Sequence, residues 1–280
     1  MDDRVIALDL DGTLLTSDKR LSERNRATLT RAAEKGALVV PTTGRFFGMM
    51  PQAVRDLPFV RYAITINGAQ VYDRATDTAI VREEMSVAVA REVMAFLDGY
   101  DVIYDCYRDN WGWMTASAQA RAESYATDGH YLRMLREFRR PVANLSEHLR
   151  ETAASGGVQK IMLFTRSDGA EPGLREHLTE ELGRRFAGLS ITSSTRNNLE
   201  ITTSAAHKGA ALGRFAEFLG LSLDACMAFG DGMNDFTMIQ AAGMGVAMAN
   251  ADERVKAVAK YVTLSNDADG VADALCHFGF

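Results

Sequence analysis

Cysteine is scarce in this chain: 280 residues hold three, Cys106, Cys226 and Cys276. The count is odd, the spacing is wide, and no pair sits at a metal-binding interval. That excludes a disulfide framework and a cysteine-based metal site, and it fits a reducing cytoplasm. No window approaches the roughly 18 apolar residues of a spanning helix. The start, Met1-Asp2-Asp3-Arg4, is acidic and runs straight into an apolar segment, so no secretory signal is expected. Basic charge is not in excess, since 31 Lys and Arg face 37 Asp and Glu for a formal net charge of -6. A phosphate backbone needs a basic face, so nucleic acid is not the expected partner, although a local pocket for one small phosphate is allowed. Low-complexity tracts and fixed-period repeats are absent. His207 has no visible triad partner, and the other four histidines lack ligand spacing. Nothing in the sequence names a protein partner or a membrane.

What is present alternates. Val5-Ile6-Ala7-Leu8 reads as a buried parallel strand. Ser22 and Gly36 bound a helix as N-cap and stop. Ala37 to Val40 is a second strand, with a helix expected from Phe46 to Arg55. Tyr62 to Ile66 is a third, closing on the turn signal Asn67-Gly68. Two short antiparallel strands follow, at Val71-Tyr72 and Ala79 to Val81. From about residue 85 the character changes: both tryptophans and most of the tyrosines appear. Arg121, Arg133, Arg136, Arg139 and Arg140 make the middle of this module basic; most read as one solvated helix face, with one or two as candidates to face the cleft and attract an anionic substrate. After Lys208 the strand–helix rhythm returns, with a strand at Ala225 to Phe229 ending in Gly230-Asp231-Gly232-Met233-Asn234-Asp235. The expected architecture is α/β: a Rossmann-like parallel sheet core, residues 1–84 and 196–280, with an inserted α+β cap, residues 85–195.

Three strands therefore end in polar loops: Asp9-Leu10-Asp11-Gly12-Thr13, Thr43-Gly44-Arg45, and the Asp231 to Asp235 loop. In one parallel sheet these loops share an edge, the edge where ligands bind. Asp9 and Asp11, two apart on an extended segment, are expected to face one site. Two like charges at 4 Å repel by about 4 kcal/mol at an effective dielectric of 20. Up to four carboxylates crowded together call for a cation or for protonation, and oxygen-only ligation with no nearby His or Cys favours a hard ion such as Mg²⁺. Thr43, with backbone amides expected to open a helix, suits a phosphate, and Lys208 supplies positive charge. A carboxylate at that point is placed to act as nucleophile. Met233, Met238, Met244 and Met248, near the last loop, read as packing residues. So do Trp111, Trp113, Tyr104, Tyr107 and Tyr125 in the inserted module.

These motifs, in this order, resemble the four motifs of the haloacid dehalogenase-like superfamily, and more narrowly its Cof-type sugar-phosphatase group. Asn67-Gly68-Ala69 ahead of the cap fits the same pattern. The resemblance implies that Asp9 attacks phosphorus, and that Asp11 protonates the leaving alcohol and then activates water. It implies Mg²⁺ held by the side chains of Asp9 and Asp231 and the main-chain carbonyl of Asp11. Thr43 and Lys208 bind the phosphoryl group, with Gly12, Gly44, Arg45 and Asn234 around it and Asp235 in support. It also implies a mobile cap that closes over a small phosphorylated metabolite. Sugar phosphates, pyridoxal phosphate, flavin mononucleotide and nucleotides all suit that description. A phosphomutase of the same superfamily and a non-catalytic phospho-ligand-binding protein are the alternatives.

Overall fold

Fourteen strands among the described residues fall into two sheets. The computed structural model of the chain describes residues 4–280, apart from the His130 side chain; Met1, Asp2 and Asp3, where no signal is expected, lie outside the described residues. In chain order the strands are β1 (Val5–Asp9), β2 (Leu38–Thr42), β3 (Tyr62–Thr65), β4 (Gln70–Asp73), β5 (Thr78–Arg82), β6 (Ile103–Arg108) and β7 (Trp111–Thr115). They continue as β8 (Arg139–Val142), β9 (Lys160–Phe164), β10 (Leu189–Thr192), β11 (Asn198–Thr203), β12 (Cys226–Gly230), β13 (Met244–Ala247) and β14 (Tyr261–Val262).

The chain divides into one unit of residues 1–82 and 206–280 and a second of residues 83–205. The first holds an eight-stranded sheet in the order β14-β13-β12-β1-β2-β3-β4-β5. Its strands from β14 to β3 are parallel, and β4 and β5 add antiparallel at the edge. β1 is buried throughout, so it reads as an unbroken apolar run. Its side chains alternate between two packed layers. Ile6 and Leu8 join one with the helices Glu23–Glu34 and Gly270–His277; Val5 and Ala7 join the other with the helix Lys208–Phe218. Asp9 follows Val5 and Ala7 in that alternation, which puts it on the side of the helix that Lys208 begins. Ser22 caps its helix as expected, its side chain accepting from the Asn25 amide. The helix expected from Phe46 to Arg55 is instead a 3₁₀ turn, Phe47–Met49, and a short helix, Gln52–Arg55, because Pro51 intervenes and holds Met50 extended. The C-terminal helix Gly270–His277 was not anticipated.

The second unit has a six-stranded sheet, β10-β11-β9-β6-β7-β8, antiparallel except between β7 and β8. It extends to Ala205, beyond the expected boundary at 195, because β11 pairs with β9 and β10. The helices Val87–Leu97, Leu145–Glu151 and Leu174–Arg185 pack with Cys106, Ile161, Leu163 and Ile201. The residues between these on the strands, Asp105, Lys160 and Glu200, point the other way and are buried too.

Here the arginine reading fails. Arg121 lies in one helix, Arg133 and Arg136 in another, and Arg139 and Arg140 on β8. Arg139 is fully buried, its Nε donating to Asp105 Oδ2 at 2.7 Å and its Nη2 to the Tyr107 hydroxyl at 2.7 Å. Lys160 donates to Glu200 at 3.0 Å beside them. Arg139→Leu should cost about 3–5 kcal/mol, since Asp105 would keep a buried carboxyl without its cation. Urea unfolding measures this; a loss below about 1 kcal/mol, the range of an exposed pair, contradicts it. Of the expected packing aromatics, Tyr107 and Tyr125 are buried, whereas Trp111 is exposed with the Arg140 guanidinium 3.9 Å over its ring.

Candidate active site

β12, β1 and β2 are neighbours and parallel, so the loops after all three leave the same edge of the sheet. Lys208 is the hub. It is the first residue of its helix, which His207 caps by accepting from the Ala210 amide. Its ammonium is fully buried and donates to Asp9 Oδ1 at 2.6 Å and Asp235 Oδ1 at 2.5 Å. Asp235 Oδ2 accepts the amides of Asp231 and Gly232, each at 3.0 Å, and so holds the turn that carries Asp231. Asp231 Oδ1 accepts from Thr13 Oγ1 at 2.7 Å. Thr13, fully buried, is a site residue to which the sequence pattern assigned no role.

Carboxylate oxygens of Asp9, Asp231 and Asp235 lie within 4.8 Å of one another. With all three acids ionised, one ammonium leaves two negative charges uncompensated, the charge of a divalent cation. Burial first, and Asp235 second, raise Asp9 to about 8 against the pull of Lys208. Burial also raises Asp231 and outweighs its bond from Thr13. Burial opposes the charge on Lys208, but Asp235 and Asp9 outweigh it and hold the ammonium firmly charged. The bonds above use both oxygens of Asp235 and one each of Asp9 and Asp231. The Oδ2 atoms of Asp9 and Asp231 are therefore the donors left for a hard ion, and the all-oxygen set fits Mg²⁺. Gly12 is required there: its φ is +89°, and a Cβ would stand 2.5 Å from Asp231 Oδ2.

Asp11 lies close enough to the cluster for its charge to help raise Asp231, but its carboxylate has partners of its own. The extended chain ends at Asp9; the Leu14 and Leu15 amides then donate to Asp9 and Leu10 carbonyls, curling the backbone. Asp11 is consequently bound by Arg45 Nη2 at 2.9 Å on Oδ2 and Lys19 Nζ at 2.9 Å on Oδ1. Partial burial works to raise its pKa, but Arg45 and Lys19 prevail and lower it. Lys19 was not anticipated, because nothing local marks it.

Thr43 is buried just past β2, its hydroxyl accepting from the Arg45 amide at 3.3 Å. The stretch after it is a bend, not the helix start expected. Its shape is set by the Ile66–Gly68 turn, where Asn67 N donates to Thr43 O and Ile66 N to Arg45 O, each at 3.0 Å. Ile66 and Asn67 both have φ near +54°; for a β-branched residue this is strained backbone, of the kind found beside functional sites. Gly68, at φ +98°, lets the turn press on the Lys208 helix, since a Cβ would lie 2.4 Å from His207 O. Gly44 packs against Asn67. Asn234 is exposed on the acidic loop. Met233 beside it is exposed as well, contrary to a packing role, while Met238 and Met248 are buried.

A family model described as haloacid dehalogenase-like hydrolase matches residues 6–275. A pyridoxal phosphate phosphatase of Escherichia coli is 33% identical over 281 residues, covering 97% of this chain and 97% of that protein. A 5-amino-6-(5-phospho-D-ribitylamino)uracil phosphatase of Bacillus subtilis is 30% identical, covering 99% and 96%. Among solved structures, a haloacid dehalogenase-like hydrolase from Bacteroides thetaiotaomicron superposes with a TM-score of 0.82 at 28% identity, covering 99% of this chain and 100% of that one.

Proposed function

The chain belongs to the haloacid dehalogenase-like hydrolases, of the Cof type, and is a phosphoric monoester hydrolase; we propose that it cleaves small phosphorylated metabolites through a phosphoaspartate on Asp9. The observation that carries this reading is the buried cluster of Asp9, Asp231 and Asp235 around Lys208 at the ligand edge of the sheet. Asp9 is the nucleophile: its oxygen bonds to phosphorus as the bond to the leaving oxygen breaks. Asp11 gives that oxygen a proton. Water then bonds to phosphorus, Asp11 takes its proton, and the P–O bond to Asp9 breaks to return its carboxylate and free phosphate. The ion pairs on Asp11 favour its carboxylate form, suited to the second step. The substrate phosphate, a like charge arriving beside it, favours protonation for the first. Lys208 and Thr43 bind the phosphoryl oxygens, with Gly12, Gly44, Arg45 and Asn234 around them. Mg²⁺ held by Asp9, Asp231 and the Asp11 carbonyl supplies neutralisation of phosphoryl charge.

We assign leaving-group selection to the inserted unit on the strength of the family resemblance. The cytoplasmic assignment rests on the sparse, odd cysteine count; among the described residues no helix is long and apolar enough to cross a membrane. Phosphate release from a panel of sugar phosphates, pyridoxal phosphate, flavin mononucleotide and nucleotides tests the proposal. Release should require Mg²⁺, stop with chelator and return on adding the ion back. Release that persists in chelator would remove the metal from the account. Conversion of a hexose phosphate without free phosphate would indicate the mutase.

A further inference from the structure

Lys19 is a charge at the site for which the reaction scheme has no task. It sits at the tip of a small hairpin, closed by a bridge between Leu15 and Leu21 and by bonds from Thr16 N to Arg20 O (3.0 Å) and Lys19 N to Thr16 O (2.8 Å). The hairpin is fastened from across the chain. Ser17 donates its amide and hydroxyl to the two Asp267 oxygens at 2.8 and 2.6 Å, and Asn266 Nδ2 donates to Leu15 O at 3.0 Å. Lys19 itself has φ +60°. That left-handed conformation costs a residue with a side chain about 1–2 kcal/mol, and Gly or Asn usually takes it. A lysine is held there and reaches back to Asp11.

The carboxylate of Asp11 thus carries one cation on each oxygen, Lys19 on Oδ1 and Arg45 on Oδ2, both at 2.9 Å. Lys19 is 59% exposed and Asp11 35%, and an ion pair so wet adds little to stability. Its effect is on direction: Arg45 donates to Oδ2 while the Lys19 charge stands 2.9 Å from Oδ1, an atom with no hydrogen bond, and the pair favours one orientation of the carboxylate.

We propose that Lys19 is a positioning residue for Asp11, acting through that carboxylate and not on the substrate. The inference rests on Asp11 as the acid and base of the proposed reaction. It makes a specific demand. An alkoxide must receive a proton as its bond to phosphorus breaks, whereas nitrophenolate leaves without one. Misdirecting Asp11 should therefore harm alkyl esters selectively. kcat/KM reports the first step, so it is the quantity to compare.

The experiment measures kcat/KM for glycerol phosphate and p-nitrophenyl phosphate in the wild type, Lys19→Ala, Lys19→Arg and Asp11→Asn. General acid catalysis contributes about 10²–10⁴-fold, so Lys19→Ala should lower the alkyl ester by about tenfold or more and the nitrophenyl ester by less than about twofold. Lys19→Arg should recover most of the loss, and thermal melting should stay unchanged in both because the tip is exposed. Asp11→Asn should show the same selectivity, more strongly. Equal losses on the two esters in Lys19→Ala, or none, while Asp11→Asn still discriminates, would overturn the role of Lys19 alone. An Asp11→Asn variant that does not discriminate would overturn the acid–base assignment and the inference with it.

Discussion

Asp9→Asn should abolish turnover, by at least about 10⁴-fold on every phosphomonoester, because loss of a nucleophile removes the covalent route and not merely a contact. The fold should survive, since an amide oxygen still accepts from Lys208, which now donates to Asp9 at 2.6 Å. Stability should even improve in metal-free buffer. Asp9 is raised to about 8 by burial and by Asp235, well above its value in an unfolded chain. A group so raised gives stability at low pH that is lost as pH rises from its unfolded pKa through about 8. The wild type should therefore weaken over that window and the Asn variant weaken less. Melting temperatures across pH 4–8, with phosphate release, read both. Near-wild-type turnover in the variant would remove Asp9 from the mechanism.

Lys208→Met should be costly in a different way. The ammonium is fully buried and is shared by Asp9 and Asp235 at 2.6 and 2.5 Å. Breaking a buried pair by removing one partner costs about 3–5 kcal/mol, because the other charge stays buried. Activity should fall as well, by about 10²–10³-fold or more, the usual cost of removing one preorganised donor to developing charge. The two losses separate in a double variant. Adding Asp235→Asn to Lys208→Met removes one of the stranded carboxylates, so much of the stability should return while activity does not. Urea unfolding and steady-state kinetics on the three proteins measure this. A Lys208→Met protein as stable as the wild type would mean that the cluster is not held together by its charge.

The site was legible in the sequence where chemistry follows local order. A fully buried parallel strand is an unbroken apolar run, so Val5 to Leu8 identified itself and delivered Asp9 to the sheet edge. The loops at Thr43 and Asp231 were found the same way, and Lys208 by its place before a helix. What escaped notice depends on partners far along the chain. Lys19 matters only because Ser17 meets Asp267, 250 positions away. Thr13 matters because Asp231 lies 218 positions on. Arg139 was misread for a related reason: among other arginines it resembles a solvated face, and only strand pairing brings Asp105 to it. Pro51 alone would have shown that the helix expected from Phe46 could not run through it.

The most direct test of the account is to catch the phosphoenzyme. Asp11→Asn, slowed in hydrolysis but still able to accept phosphate from p-nitrophenyl phosphate, is mixed with that ester and Mg²⁺ and quenched in acid. Borohydride reduction then converts any acyl phosphate to homoserine, and peptide mass spectrometry locates it. Homoserine is expected at position 9 and nowhere else. Nitrophenol release with Asp9 unreduced, or homoserine at another carboxylate, would contradict it.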